Sequence, residues 1–535
     1  MFLWGISNVA YSQYSNDPHN PMVVSSGEHN RTNLRIATTS DGTTYIVGSY
    51  ENLNANEMLM RSAILDIDGN IISNSIILSA PLGIREVNDF NLIASDNNVL
   101  LSVGGNLFFT LYSAGDFQLI ALNYYSAALV VNPVLPGTSS DINDADEIVF
   151  AVPFLQNLYV NKLNSYGDFV SSEGIIIDGF NTMPKVRFIE DGSFYVVYRM
   201  YDRLYADLYD KNCDVVWKGV YIGHETGSDL SPEDQHQVIP DGLGGIYVIW
   251  KKKNIFVQRI ASEDSPAGGK IGVRKFGDYA MALTENTTEC HSPIASLDKN
   301  TNELNITWRS QNPNTNSVNI QKITPDGEKK WGTNGIIADE GFLAYQNTPV
   351  AIGTASDKIM LVFSKFNTTS QKYDLVYNRF YIETGSKEFS NNIDVNTYKY
   401  ERSSIVSTDF NNNQIVIAWC DSTEDNSVRT LAQNITYNGI LGEDTLSIHN
   451  ENLFDCVVFP VPAKNEINIK IISKTYSIAS IQIFDYLGKL IFERNNLELT
   501  EGENIFNINK KFPAGEYNIL INTEIEKITQ TIIVE

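Results

Sequence analysis

Residues able to do chemistry are sparse in this sequence, and their spacing decides most questions about them. The six histidines are His19, His29, His224, His236, His291 and His449. None stands in an HxH or HExxH pattern, so the imidazole pair of a zinc hydrolase is not expected. His236 and His291 open similar stretches of chain and read as polar residues at strand starts. No GxSxG elbow occurs, and Gly104-Gly105 and Gly244-Gly245 lie at strand turns and not ahead of a helix that could cradle phosphate. Cys213, Cys290, Cys420 and Cys456 are far apart without a CxxC pair, which argues against a zinc site and against a disulfide scaffold. Asp298-x-Asn300-x-Asn302 and Asp409-x-Asn411-x-Asn413 put hard oxygens at calcium-loop spacing. Neither has the following glycine or a bidentate glutamate, so both read as hairpin turns, as does Asp66-Ile67-Asp68-Gly69-Asn70. No catalytic residue, metal or cofactor is expected from these patterns.

Arg31, Arg35, Arg61, Arg85, Arg187, Arg199 and Arg203 are scattered, and acids are too numerous for a paired-carboxylate site to be picked out. The formal charge is -25, from 39 basic and 64 acidic residues. Such a field repels phosphate backbones, so nucleic acid is not an expected partner. No apolar run approaches the ~18–20 residues of a membrane helix. Hydrophobic content of 43% is ample for a core, and 27 tyrosines favour pleated structure, where flat rings pack well.

Internal repetition organises the chain. Residues 234–260, 290–339 and 401–448 run in the same order: a short apolar strand, an Asp/Asn/Gly turn, and an alternating strand ending in Trp250, Trp308 or Trp419. A polar loop and a further alternating strand follow (IFVQRI, VNIQKI, TLAQNI), then a last apolar strand. Weaker copies begin near Asn33, Phe90, Ser140, Met183 and Asn347. About eight units at roughly 45–60 residues match the four-strand blade period of propellers. One small sheet cannot bury two apolar faces alone, whereas sheets stacked round an axis bury both. The expectation is an all-β chain: a β-propeller-like repeat domain of about seven or eight four-stranded blades, then a small C-terminal β-sandwich. An open solenoid or two stacked sandwiches is the rival. The tryptophans then read as wedges between blades.

Residues 20–25 resemble a last strand and are expected to complete the final blade near residues 443–448. Residues 39–45 are similar to the Asp-box of sialidase-like propellers but lack the residue between Asp41 and Gly42. That activity would also need converging arginines. Residues 1–13 read as the remnant of a secretory signal peptide. The repeat domain is expected over 14–449, a linker over 450–457, and the small domain over 458–535.

After the linker, four segments follow in order: Phe459-Pro460-Val461-Pro462-Ala463, Phe484-Asp485-Tyr486-Leu487-Gly488-Lys489-Leu490, Ala514-Gly515-Glu516-Tyr517-Asn518-Ile519-Leu520, and the final stretch 528–534. From about residue 456 to 535 this set resembles the type IX secretion, type A C-terminal sorting domain of Bacteroidetes. Val461 stands where that family usually has Asn. The resemblance implies a seven-stranded sandwich, prior export across the inner membrane, and an outer-membrane secretion translocon as partner. It also implies a secreted, extracellular or outer-surface location. Pro460, Pro462, Asp485, Gly488, Lys489, Gly515 and Tyr517, with the final strand, are the expected sorting-signal residues, through strand addition to the translocon. The repeat domain is expected to be a non-enzymatic binding module for a glycan or protein ligand. The alternatives are a propeller glycosidase or lyase acting on extracellular polysaccharide, or a structural surface-layer component.

Overall fold

Alternating apolar residues bounded by Asp, Asn and Gly turns dictate short antiparallel strands, and strands are what the computed structural model contains. It describes residues 13–28, 31–52, 57–81, 90–95, 98–103, 108–113, 119–124, 138–154, 157–179, 181–201, 203–223, 236–284, 289–311, 315–342, 348–355, 357–397, 402–422, 428–442, 454–459, 467–473, 477–485, 489–500, 502–508, 510–523 and 527–534. The chain divides into two compact units, Met1–Glu443 and Asp444–Glu535. No helix among the described residues is long and apolar enough to cross a membrane.

The first unit is a ring of eight blades. Seven are sheets of consecutive strands, spanning 31–81, 90–124, 139–177, 181–221, 236–274, 289–342 and 348–396. In each, the strand nearest the axis comes first, and each first strand packs on that of the next blade. Blade 8 takes three strands from the end of the ring, Arg402–Ser407, Gln414–Ser422 and Val428–Thr436, and its outer strand, Met22–Glu28, from the start. Met22 faces Ala432 and Val23 faces Leu431 in that pairing. Closure by the early strand is therefore as expected, but its partner is Val428–Thr436. Residues 443–448 lie outside the described residues. The first strand of blade 8 then packs on that of blade 1, Arg31–Thr38, and no blade is left without a neighbour.

Two devices repeat round the ring, and both follow from residue chemistry. The first is a hairpin held by one Asx side chain. Asp66 Oδ1 accepts from the N–H of Asp68 and Asn70 at 3.1 and 2.7 Å. Asn143, Asn164, Asp210 and Asp241 do the same two and four residues on. The residue three after each, Gly69, Asp146, Gly167, Cys213 or Gly244, has positive φ, which glycine adopts without cost.

The second device is an amide followed by a cation on the third strand: Asn161-Lys162, Gln258-Arg259, Gln321-Lys322 and Asn378-Arg379. All eight are buried. The amide fastens the chain beside the outer strand: Gln321 Oε1 accepts from Trp331 N at 3.1 Å, while its Nε2 donates to Gly332 O at 2.8 Å. In three of the four the cation turns back to an acid near the first hairpin, whereas Arg379 pairs with Glu388 ahead of the outer strand. Lys162 reaches Glu147 at 2.8 Å, Arg259 reaches Asp241 at 2.7 Å, and Lys322 reaches Asp298 at 2.5 Å. Lys162 and Arg259 also donate to carbonyls of the following blade, Lys211 O and Pro325 O, and so pin neighbours together.

Lys322 is fully buried beside Asp298. Removing one partner strands the other charge, a loss of about 3–5 kcal/mol. Lys322→Ala is expected to cost that much in urea unfolding. Burial pushes the Asp298 carboxyl up, but the hydrogen bond and charge of Lys322 outweigh it and hold the carboxyl below its ordinary range. The stability it contributes is present above the ordinary carboxylate range and is lost as pH falls through the lowered value. The variant should lack that acid-dependent component, and parallel pH slopes for the two proteins would contradict the assignment.

The tryptophans sit where the repeats place them. Trp250, Trp308 and Trp419 are each at most 1% exposed, in three different clusters between blades.

The second unit is a sandwich of seven strands. Phe454–Phe459, Ile467–Ser473 and Gly502–Ile508 form one sheet. Leu490–Leu499, Ser477–Asp485, Gly515–Thr523 and Lys527–Val534 form the other, in that order across it. Alternation points Ile467, Ile469 and Ile471 from the first sheet, and Ile481, Ile483, Ile519 and Ile521 from the second, into a shared core.

Candidate functional site

The first hairpins of the blades surround the mouth of the central channel, which opens into a cavity of about 810 Å³. Its wall mixes short apolar and hydroxyl residues, with Ile36, Leu92, Val238, Ile239, Ala295 and Leu297 from the first strands interleaved with Thr38, Ser296, Thr354, Ser407 and Thr408. The charged residues lining it are Arg187, Asp298, Lys299 and Asp409. Phe410, Tyr437 and the amides of Asn300, Asn411 and Asn413 stand beside them. Both calcium-like stretches thus lie at this mouth, as turns. Asp298 Oδ1 accepts from Asn300 N at 3.1 Å, and Asn411 N donates to Gln414 O at 3.0 Å. Among the described residues no three His, Cys, Asp or Glu side chains group as metal ligands do.

Two of the four charged groups already have work in the fold. Asp298 holds Lys322, and Arg187 donates to Val186 O at 2.7 Å and to Val238 O at 3.2 Å, bridging blades 4 and 5. Asp409 and Lys299 both open onto the channel. Asp409 keeps a solvent-exposed face in the channel, yet the protein packed round it disfavours its charged form and raises its carboxyl above the usual range, although Lys299 and Arg187 pull the other way. A raised carboxyl means the ionised form costs stability at neutral pH, a cost that disappears as pH falls through the raised value. Asp409→Asn is therefore expected to melt higher than the parent at neutral pH, with the gap closing in acid. An equal or lower melting point at neutral pH would contradict the assignment.

Among the described residues the histidines do not converge. His236 pairs across its hairpin with Trp250, whereas His291 pairs with Arg309. Arg309 neighbours Trp308 in the strand and points to the opposite side, so a bulge between His291 and Ile294 removes the correspondence read from sequence. Burial, with Lys185, Arg187 and Arg199 nearby, lowers the His236 imidazole to about 3, so it is neutral at physiological pH. Thr39-Ser40-Asp41-Gly42 is the first hairpin of blade 1, with Asp41 Oδ1 accepting from Thr39 Oγ1 at 2.6 Å and from Thr43 N at 2.9 Å. The amide–cation pairs escaped the sequence reading, although the recurring N-K, Q-R, Q-K and N-R before an apolar residue carried the signal.

In the second unit four expected sorting residues gather at one end of the four-stranded sheet. Asp485 lies opposite Tyr517, and Gly515 lies opposite Val534. Asp485 Oδ1 accepts from Lys489 N at 2.9 Å and closes the hairpin between them. Tyr517 is buried, with its hydroxyl donating to Pro513 O at 2.9 Å and its ring edge-on to Phe512 at 5.3 Å. Lys489 and Gly515 are exposed. Pro460, Pro462 and Gly488 lie outside the described residues. The last strand, Lys527–Val534, is an edge of its sheet, the arrangement strand addition requires. Over residues 457–535 the chain matches the family model described as the secretion system C-terminal sorting domain. Residues 457–535 are such a sorting domain. The sorting domain marks a chain exported by type IX secretion and either attached at the cell surface or released, and it makes the secretion machinery a partner.

No curated protein sequence matches the chain. Among solved structures it is similar to a dihydro-heme d1 dehydrogenase, at 9% identity over 90% of this chain and 76% of that one, with a TM-score of 0.39. A polysaccharide lyase described as an ulvan lyase is 10% identical over 63% of this chain and 90% of its own, with a TM-score of 0.38. A β-propeller domain from Myceliophteria thermophila is 9% identical over 76% and 98%, with a TM-score of 0.35. At these scores the likenesses bear on no question of activity.

Proposed function

We propose that the propeller is a non-enzymatic binding module, carried to the cell surface or beyond by its sorting domain, that engages an extracellular glycan or protein at the channel mouth. The observation that carries this reading is the division of labour among the channel's charged groups. Asp298 and Arg187 are engaged by Lys322 and by backbone carbonyls, which leaves Asp409 and Lys299 among apolar, hydroxyl and amide lining residues. A concave site that sets convergent polar groups among apolar ones suits ligand recognition. Acid–base cleavage of a glycosidic bond would call on two carboxyl groups poised for different roles.

The test is one incubation of the purified full chain with a panel of polysaccharides, scoring both retention on the glycan and new reducing ends. Retention without new ends is expected. New ends would overturn the binding reading in favour of a glycosidase or lyase, and loss of that activity in Asp409→Asn would place it in the channel. Retention on no glycan would move the reading to a protein ligand.

A further inference from the structure

The charges around the channel mouth also select a class of ligand, on the reading that the channel is the binding site. Within the channel they balance. Asp298 pairs with Lys322, Lys299 stands near Asp409, and Arg187 offsets part of the burial that raises the Asp141 carboxyl. A cavity neutral in sum has no surplus charge to offer a charged ligand. Neutrality here comes with polar reach: a carboxylate, an ammonium group and the amides of Asn300, Asn411 and Asn413 all lie on one lining.

The collar outside is different. The hairpins on this side of the ring use an acid as their Asx cap or carry one at the turn, as with Asp41, Asp66, Asp144, Asp191, Asp210 and Asp326. Each acid has a local structural reason, and although Lys211, Lys329, Lys330 and Lys387 share these hairpins the acids outnumber them, in a chain at -25 as a whole. Such a collar repels polyanions before they reach the mouth. Rings are also available at the mouth. Phe410 and Tyr437, both from blade 8, line the cavity on one side, and Tyr437 is 37% exposed. Flat rings beside hydrogen-bonding groups suit a ligand with apolar faces and hydroxyl edges.

We propose that the channel mouth takes the end of an uncharged polysaccharide, with Tyr437 and Phe410 against a sugar face and Asp409, Lys299 and the asparagine amides on its hydroxyls. Acidic polysaccharides are excluded by the collar.

The experiment is calorimetric titration of the full chain with neutral oligosaccharides (xylan, mannan and β-glucan fragments) and with acidic ones (alginate, polygalacturonate and carrageenan fragments), at low and high salt. Binding of at least one neutral fragment, with affinity nearly independent of salt, is expected, and no acidic fragment should bind at low salt. Tyr437→Ala and Asp409→Ala should each weaken the neutral ligand by about tenfold or more. Both side chains are exposed, so folding is expected to survive, and Lys299→Met serves as a third variant should either fail a melting check. Salt-sensitive binding of acidic fragments that is weakened by the same variants would overturn the neutral class while sparing the channel. Saccharide binding left unchanged in all three variants would overturn the channel itself. No binding to any fragment would overturn both, and a protein ligand would then be sought.

Discussion

A variant lacking residues 1–28 is expected to lose the cooperative unfolding transition of the propeller altogether. The segment contributes far more than one outer strand. Tyr14, Met22 and Val24 are each at most 4% exposed in the cluster shared by blades 8 and 1. Ser25 Oγ lies 2.8 Å from Thr430 Oγ1, which lies 3.1 Å from the Tyr50 hydroxyl, so one hydrogen-bonded chain crosses the seam. Gln433 donates to Ser15 O, and Thr397 N donates to Pro18 O at 3.1 Å. Losing a large buried side chain costs about 2–5 kcal/mol. Three such losses rival the whole net stability of an ordinary domain, about 5–15 kcal/mol. The strand Val428–Thr436 would also become an unpaired edge, open to pairing between molecules. Urea unfolding followed by tryptophan fluorescence should show a broad, early transition. A peptide of residues 13–28 added in trans should restore it in proportion to concentration, as any ligand of the folded state does. A sharp transition at the parent midpoint without the segment would show that the ring does not depend on this closure.

What was legible in the sequence is what repeats locally. The strand starts near Asn33, Phe90 and Ser140 fall at the opening of blades 1, 2 and 3, because alternation and Asx turns act over a few residues and leave their mark in each copy. Tryptophan as a wedge was legible for the same reason. Closure of the ring was legible in kind, since residues 20–25 look like an outer strand, but the partner strand was not. Pairing across more than four hundred residues leaves no local trace beyond a shared pattern. The histidine correspondence failed over a single bulge, because one extra residue turns every later side chain to the other face of the strand. The candidate binding site was the least legible part. Asp409 and Lys299 belong to hairpins of blades 8 and 6, and only the closed ring makes them neighbours. Sequence presented both as ordinary turn residues, which locally they are. The same economy explains the acidic collar, where acids chosen for their turn geometry acquire a collective field once the ring orders them.

Deleting residues 457–535 is expected to abolish export, leaving the propeller folded but held inside the cell envelope. The expectation rests on each unit having a core of its own. The sorting domain has its own core, built from Ile467, Ile469, Ile471, Ile481, Ile483, Ile519 and Ile521, and the ring closes without it. Deletion therefore removes the address and leaves the cargo intact, so a loss of export cannot be ascribed to a misfolded propeller. Fractionation of cells producing the full and deleted chains should find the first at the surface or in the medium and the second only in the envelope, with equal melting of the two propellers as the control. Within the domain, Tyr517→Ala should act through folding, since it empties a buried site beside Phe512 and removes the bond to Pro513 O, a loss of about 3–5 kcal/mol. Lys489→Glu alters an exposed hairpin residue and should leave melting unchanged, so any export defect it causes would mark a recognition contact. Fusion of residues 444–535 to an unrelated envelope-resident cargo completes the argument. Export of that cargo would make the domain sufficient. A deleted chain that still reached the medium would show that the propeller carries an address of its own.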